Sequence, residues 1–360
     1  MAGGNPFEGR LQALRKTLAA RRLDAALVFD EANVRSLTGI ACDNACLLVP
    51  AAGRSARVVF HTDFRYAPMV RRVAPALRVG DIRTLGGVRR GATALRLGYE
   101  SSVTHARYLA LRRRFPGCRF VDVAADLARL RSVKTDDEIA RLAAAESLND
   151  RIWSLARRRF RPGMTELDMA RVIRRLMIDL GEGEAFPTIV CVGKNAAECH
   201  HVPDATVWSG REPVLVDMGV KLDGYCSDMT RNLVPPRPGA LYRKVYGLVL
   251  EANLRAIAAA RPGITAGDLD KVARDFLTEA GYGEAFGHSL GHGVGLEIHE
   301  APTARRGDTT VLEPGMLVTI EPGVYLEGRL GVRIEDLVVI TETGCRVLSA
   351  SAKRLAGVRL

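Results

Sequence analysis

No stretch of eighteen consecutive apolar residues occurs in this 360-residue chain, which excludes a transmembrane helix of ordinary length. The opening MAGGNPFEGR lacks the basic-then-apolar pattern of a secretory signal. No two cysteines have the two-residue spacing of a zinc knuckle. The seven cysteines, odd in number, read as reduced thiols of a cytoplasmic protein. There is no basic tail, and no aromatic residues are interleaved with the basic ones. A net charge of +11 therefore reads as a solvated arginine-rich surface rather than a nucleic-acid interface. The excess is one-sided: residues 1–130 hold 22 Lys+Arg against 10 Asp+Glu, and the remainder holds 30 against 31. What is present is ordinary for a globular protein of about two domains, with 47% hydrophobic and 26% charged residues.

The periodicity predicts an amphipathic helix over 7–22. Short apolar runs follow at Ala25–Phe29, Ala45–Pro50 and Ala56–Phe60, separated by turns and helical stretches, as in a small α/β domain over 1–130. From Thr135, a plausible N-cap with acids behind it, a long helix opens a second domain over 131–360. That domain repeats itself. RPGMTELDMARVIRRLMIDLGEGEAF (161–186) aligns without gaps to RPGITAGDLDKVARDFLTEAGYGEAF (261–286), with 12 of 26 positions identical. Thr165 and Thr265 stand at N-cap positions with Asp168 and Asp268 three residues on, and glycines 181 and 281 stand at the helix stops. Two related halves imply an α+β domain of pseudo-twofold form, with a site between the halves.

Chemistry concentrates in that second domain. VLVDMGVKLDGYCSDMT (214–230) reads as an apolar hairpin carrying Asp217 and Asp228, and a carboxylate among apolar residues is costly unless paired or metal-bound. A two-residue loop at 222–223 sets the two aspartates opposite one another. A loop at 223–224 sets Asp217 opposite Thr230, with Asp228 diagonal, and both registers keep the carboxylates on one face. A three-residue loop separates them. Glu321 and Glu335 flank a turn near Gly328, and an odd-length loop there makes them direct partners. Two such pairs point to an oxygen-rich cage for two cations. The alternatives are a lysine or arginine partner, or simple exposure of each polar face.

Five of the seven histidines fall in two short stretches: His200 and His201 in CHHVP, and His288, His292 and His299 in GHSLGHGVGLEIHE. Glycines 287, 291, 293 and 295 beside the latter permit close backbone approach. HSLGH has no glutamate where HExxH zinc sites need one, and no strand–turn–helix context supports a dinucleotide fingerprint.

VDMG-x7-SDMTR, GHxxGHGVGLEIHE, IEPGVY and GVRIED, in that order, resemble the motifs of the pita-bread-fold metallopeptidases. The match is to the Xaa-Pro aminopeptidase and prolidase branch, which carries a creatinase-like N-terminal domain; SLTGI (36–40) resembles a turn of that domain. The resemblance implies an α+β, pseudo-twofold pita-bread catalytic domain behind a smaller α/β domain. It implies two divalent ions held by Asp217, Asp228, His292, Glu321 and Glu335, with Asp228 and Glu335 bridging. It assigns active-site roles to His200, His288 and His299, and substrate orientation to His288 and Arg333. Cys199 departs from the proline common before the first histidine. All five ligands are present, unlike in the creatinase-like and chaperone-like relatives that lack them.

The implied reaction is hydrolysis of an N-terminal Xaa-Pro bond in proline-containing peptides. A metal-bridging hydroxide attacks, Glu321 takes its proton, and the metals with His200 or His299 stabilise the oxyanion. Mn(II) is favoured, with Co(II), Fe(II) and Zn(II) the other candidates. Phe186 and Tyr225 read equally as substrate-pocket or core residues. The resemblance also implies a homodimer; from the charge pattern and the lack of a long apolar run, no nucleic-acid or membrane partner is expected. The competing readings are a prolidase confined to Xaa-Pro dipeptides, another metal-dependent hydrolase on this scaffold such as a methionine aminopeptidase, and a nucleic-acid-binding protein using the basic N-terminal half.

Overall fold

A computed structural model of the chain describes residues 6–54, 57–86 and 95–355; Ala56, which opens the third apolar run, lies outside them. The chain divides after Arg131 into two compact units.

In the first unit, α1 (Pro6–Ala20), α2 (Glu31–Thr38), α3 (Ala67–Val73), α4 (His105–Arg114) and α5 (Ala124–Ser132) accompany six strands. These are β1 (Ala25–Val28), β2 (Cys46–Pro50), β3 (Val59–Thr62), β4 (Arg78–Asp81), β5 (Arg96–Tyr99) and β6 (Arg119–Asp122), arranged β4-β3-β2-β1-β5-β6. The sheet is mixed: β1 runs antiparallel to β2 and parallel to β5. Alternate residues of β1 feed different cores. Ala26 and Val28 pack with Leu14, Leu18 and Leu37, while Ala25 and Leu27 pack with Leu97 and Leu111. A central strand covered on both faces has no polar alternation, which is why the run is apolar throughout. Helix α1 ends two residues short of the expected 22, because Arg22 adopts a positive φ of 57° that turns the chain into β1. Several arginines of this unit are locally paired: Arg21 with Asp126, Arg54 with Asp24, Arg65 with Asp63 and Arg83 with Asp81.

The second unit holds α6 (Asp136–Arg157), α7 (Glu166–Leu180), α8 (Ala240–Ala259) and α9 (Ala266–Glu279). Its strands in the first half are β7 (Ile189–Val192), β8 (Val214–Met218), β9 (Lys221–Leu222), β10 (Tyr225–Cys226) and β11 (Met229–Leu233). In the second half they are β12 (Gly291–Gly293), β13 (Glu300–Ala304), β14 (Leu317–Ile320), β15 (Gly323–Leu326), β16 (Leu330–Arg333), β17 (Asp336–Ile340) and β18 (Cys345–Val347). Thr135 caps α6 with a full capping box to Glu138, and Thr165 does the same for α7 through Asp168. Thr265 accepts from the Asp268 N–H at the start of α9. The helix stops differ. Gly281 takes a left-handed φ of 85° just past α9, whereas Gly181 caps α7 in an extended conformation, so the shared glycine serves two geometries.

The repeat is real at the level of hydrogen bonds. Gly163 N–H donates to Trp208 O and Gly263 N–H to Leu312 O; Glu166 N–H donates to Thr206 O and Ala266 N–H to Thr310 O. A buried asparagine on each long helix repeats the symmetry: Asn149 donates to Met218 O, and Asn253 to Ile320 O. Each half has its own core. Trp153, Ile173, Val190 and Val216 pack together in the first, and Val249, Leu269, Val318 and Val338 in the second.

Two strand registers aim the carboxylates. Lys221–Leu222 pairs with Tyr225–Cys226 around a two-residue Asp223-Gly224 turn, both residues at positive φ (48° and 71°), the geometry that suits the twist of a hairpin. The same register continues into β8 and β11, setting Asp217 opposite Thr230 and Asp228 two residues before Thr230 on the same face, the second of the two expected registers. In the other half, Ile320 faces Asp336 and Gly323 faces Arg333 around a three-residue loop, so the interrupted ladder leaves Glu321 opposite Glu335.

Replacing Gly224 by Ala should cost about 1–2 kcal/mol, because a Cβ in the left-handed region is strained. Urea unfolding followed by tryptophan fluorescence checks this, since both tryptophans, Trp153 and Trp208, lie in the core of the same half. An unchanged midpoint would mean the turn does not hold the register.

Candidate metal centre

The five expected ligands converge where the halves meet, each at a strand end or break. Asp217 stands on β8, Asp228 just before β11, His292 on β12, Glu321 just after β14 and Glu335 between β16 and β17. His292 Nε2 lies 3.5 Å from Asp228 Oδ2 and 3.4 Å from Glu321 Oε1. Asp228, His292 and Glu335 offer ligand atoms within 4.8 Å of one another.

The imidazole of His292 has a defined orientation. Its Nδ1 sits 3.1 Å from the Gly293 carbonyl, which can only accept, so Nδ1 carries the proton and Nε2 turns a bare lone pair toward two carboxylates. Burial, reinforced by neighbouring His299, lowers the His292 pKa to about 4, so the ring is neutral near pH 7. Acceptor facing acceptor is repulsive unless a cation lies between them.

The carboxylates say the same. Burial and then mutual repulsion raise Asp228 and Glu335 well above the usual range, and burial followed by the Asp217 charge pushes Glu321 up to about 8. Among the described residues the cation in direct contact with these carboxylate side chains is Arg333, whose Nη2 donates to Asp217 Oδ2 at 2.7 Å. An arginine partner thus accounts for one of the four carboxylates and leaves Asp217 Oδ1 buried with no hydrogen-bond partner. Four carboxylates against one guanidinium leave an uncompensated charge of −3 when all are ionised. One nitrogen and many oxygens form a donor set that fits divalent cations of the Mn(II) type, and two of them would bring the net charge to +1.

Hydroxyls missing from the sequence reading orient these carboxylates. Thr230 donates to Glu335 Oε2 at 2.7 Å, and Thr319 donates to Glu321 Oε1 at 3.1 Å while accepting the His292 N–H. Each threonine lies two residues from a ligand, on the same strand face, and that period-two relation to Asp228 and Glu321 was the available signal. Glu146 was also missed. It is fully buried, accepts the Asp228 N–H at 3.1 Å and the Ser349 hydroxyl at 2.7 Å, and burial pushes its pKa up to about 8.

Beside the carboxylates runs a polar chain. Arg333 Nη1 donates to Tyr325 Oη, and Tyr325 donates to His288 Nε2, each at 2.8 Å. His288 Nδ1 faces the Ser289 carbonyl at 2.7 Å, so Nε2 is the acceptor; burial, then Arg333, lowers its pKa to about 4. Tyr325 lies within the IEPGVY motif but was not singled out. Arg333 Nη1 also reaches the Cys199 carbonyl at 3.2 Å, tying the His200 loop to the site.

His200 and His299 are exposed, the latter with its ring 4.4 Å from that of His292. Phe186 is half-buried against Gly219, where a Cβ would come within 2.6 Å of its ring, which puts it beside the aspartate hairpin. Tyr225 does not line the site. It stands three residues from Asp228, an odd offset along the chain; it is buried among Leu142, Val294 and Leu337, and its hydroxyl donates to Glu138. These surroundings are those of a core residue.

A second cluster, Glu166, His201 and Asp204, also brings three ligand-type atoms within 4.8 Å. The Glu166 oxygens are already taken by N–H donors from Val192, Asn195, His201 and Asp204, and Asp204 Oδ1 accepts the Thr206 N–H, so the cluster differs from the open, charge-crowded centre above.

Among the described residues no helix is long and apolar enough to cross a membrane. All seven cysteines are free.

Comparison with known proteins agrees with this geometry. The description "Creatinase/Prolidase N-terminal domain" matches residues 10–133 and "Metallopeptidase family M24" matches residues 140–342. An Xaa-Pro dipeptidase of Lactobacillus helveticus is 43% identical over 259 residues, 71% of this chain and 70% of its own. The solved Xaa-Pro dipeptidase from Bacillus anthracis superposes with a TM-score of 0.90 at 32% identity, over 98% of this chain and 100% of that one. The X-Pro aminopeptidase from Thermotoga maritima superposes with a TM-score of 0.84 at 29% identity, over 95% and 98%. A pita-bread peptidase domain following a creatinase-like domain makes this chain a member of metallopeptidase family M24.

Proposed function

We propose that this protein is a cytoplasmic Xaa-Pro aminopeptidase that hydrolyses the bond between a free N-terminal residue and a following proline, using two divalent ions, with Mn(II) the favoured pair. The observation that carries the proposal is the bare Nε2 of His292 set 3.4 and 3.5 Å from two carboxylate oxygens in a pocket with too few cations. Asp217, Asp228, His292, Glu321 and Glu335 would hold the ions, with Asp228 and Glu335 shared between them. When bound, the ions supply positive charge that polarises the scissile carbonyl and makes water a nucleophile near neutral pH.

The remaining chemistry belongs to side chains. Glu321, oriented by Thr319, takes a proton from the attacking water and helps return one to the leaving proline nitrogen. His200 and His299, both exposed at the site, are the candidates to donate to the oxyanion. His288 is neutral and locked by Tyr325 and Arg333, so it can orient the substrate without drifting in charge near neutral pH. Phe186 is the apolar candidate to contact the proline ring. A second reading, a dipeptidase confined to Xaa-Pro, is favoured by the names of the Lactobacillus and Bacillus relatives. The homodimer remains a proposal from the resemblance.

Comparing hydrolysis of Xaa-Pro with Xaa-Pro-Yaa-Zaa separates these readings. An aminopeptidase should release the N-terminal residue from the tetrapeptide, whereas a dipeptidase should leave it intact. EDTA should abolish either activity, and Mn(II) should restore it.

Metal analysis by mass spectrometry should find two ions per chain. A hundredfold excess over Kd should stabilise the fold by about 2.7 kcal/mol per site, seen as a raised melting temperature. Asp228→Ala should lower kcat/KM by about three orders of magnitude and reduce the bound metal. Loss of activity with full metal content would count against a bridging role for Asp228.

A further inference from the structure

CHHVP contains a second histidine for which the reaction above has no use. His201 is 10% exposed and places both ring nitrogens against carboxylates: Nε2 lies 2.8 Å from Glu166 Oε2, and Nδ1 lies 3.0 Å from Glu198 Oε2. Both carboxylates accept only, so the arrangement favours the imidazolium form, in which both ring nitrogens donate.

Glu166 is the centre of this arrangement. It is the first residue of α7 and fully buried, where the helix N-terminus favours its negative charge. Its Oε1 accepts from the Val192 N–H at 2.6 Å and from Asn195 Nδ2 at 3.0 Å; its Oε2 accepts from His201 and from the Asp204 N–H at 3.1 Å. One carboxylate therefore gathers the end of β7, the following helical turn at Gly193–Ala197, and both sides of the CHHVP segment.

His200 lies between two anchored neighbours. On one side the Cys199 carbonyl accepts from Arg333 Nη1, the same guanidinium that holds Asp217. On the other side stands the clamped His201. The turn leading into the segment is seated on β16, where Gly331 leaves no room for a Cβ beneath the Ala196 carbonyl. A loop residue with an exposed side chain has otherwise little to hold its backbone, and a displacement of about 1 Å at a catalytic group can cost on the order of a hundredfold in rate.

We infer that the Glu166–His201–Glu198 cluster is a positioning device for His200, with the His201 imidazolium clamping the loop from one side while Arg333 holds it from the other. His201 is the positioning residue, and it acts through His200 without touching the substrate.

The groups that face the His201 ring are Glu166 from α7, Glu198 and Asn195 from its own turn, and Asp204 from the segment that follows. Burial alone would lower its pKa, but the hydrogen bonds to Glu198 and Glu166 outweigh burial and raise it. A raised folded-state pKa means the contribution is complete below the ordinary histidine value of 6.5 and is lost as pH climbs through the folded-state value. The clamp therefore loosens on the alkaline side.

The kinetic arm of the test rests on the Xaa-Pro hydrolase reading; the spectroscopic arm does not. In the Mn(II) enzyme, His201→Ala should lower kcat on an Xaa-Pro peptide by about tenfold or more, with KM and metal content much less affected. In a double-mutant cycle, adding His201→Ala to His200→Ala should cost nothing further. In the diamagnetic Zn(II) protein, histidine ring NMR should show His201 titrating above the ordinary range and falling back toward it in Glu198→Gln, a change at an exposed residue that leaves the core intact. His200 ring signals should shift in His201→Ala. Additive kinetic losses, or a His201 that titrates at or below the ordinary value beside unmoved His200 signals, would overturn the inference. Wild-type protein that cleaves no Xaa-Pro peptide yet shows the NMR coupling would sink the functional reading alone.

Discussion

Mutual repulsion among four carboxylates in a buried pocket is the constraint on which the catalytic unit depends. Left to themselves, Asp217, Asp228, Glu321 and Glu335 would oppose folding, since desolvation and like charge both disfavour their ionised forms. One guanidinium, Arg333, offsets part of this and becomes the hub of the site. It touches Asp217, Thr230, Tyr325 and the Cys199 carbonyl, so one side chain connects the hairpin, the His288 chain and the His200 loop. The charge left over matches what divalent cations bring, and the neutral His292 with its bare Nε2 gives a soft place among hard oxygens.

Behind these side chains lies a layer that holds them still. The two long helices each send an asparagine to a carbonyl next to one of the carboxylates, Asn149 beside Asp217 and Asn253 beside Glu321. Arg231 and Lys353 clamp Asp336, next to Glu335, from opposite sides, and Arg231 also donates to the Glu335 carbonyl. Arg274, paired with Asp270 on α9, reaches the Phe286 and His288 carbonyls. Buried pairs of this kind are poor sources of net stability, but they leave the backbone around the ligands a single arrangement.

Much of the architecture was legible because it is local. Thr135, Thr165 and Thr265 cap helices in the structure as their spacing indicates, since a cap is decided within four residues. The repeat at 161–186 and 261–286 was visible as identity and reappears as matched hydrogen bonds. The ambiguous points were those that depended on geometry beyond the window. Helix α1 ended early because of one left-handed residue, and Gly181 closed α7 without the left-handed turn its counterpart uses. Tyr225, undecided by composition, went to the core because strand alternation turned it away from Asp228 and Glu138 was there to receive its hydroxyl.

The sequence by itself brought out two carboxylate pairs and two histidine-rich stretches, because such donors set among apolar strands stand out from their surroundings. It also limited the hairpin to a short set of registers, through the Asp223-Gly224 pair suited to a tight turn. Only the tertiary structure decided which carboxylate Arg333 neutralises and which hydroxyl orients Glu335. Those choices join residues more than a hundred positions apart, such as Asp217 with Arg333 and Thr230 with Glu335, and no spacing rule along the chain reaches that far. They follow from two halves closing over one pocket, where charge and hydrogen-bond partners must be settled together.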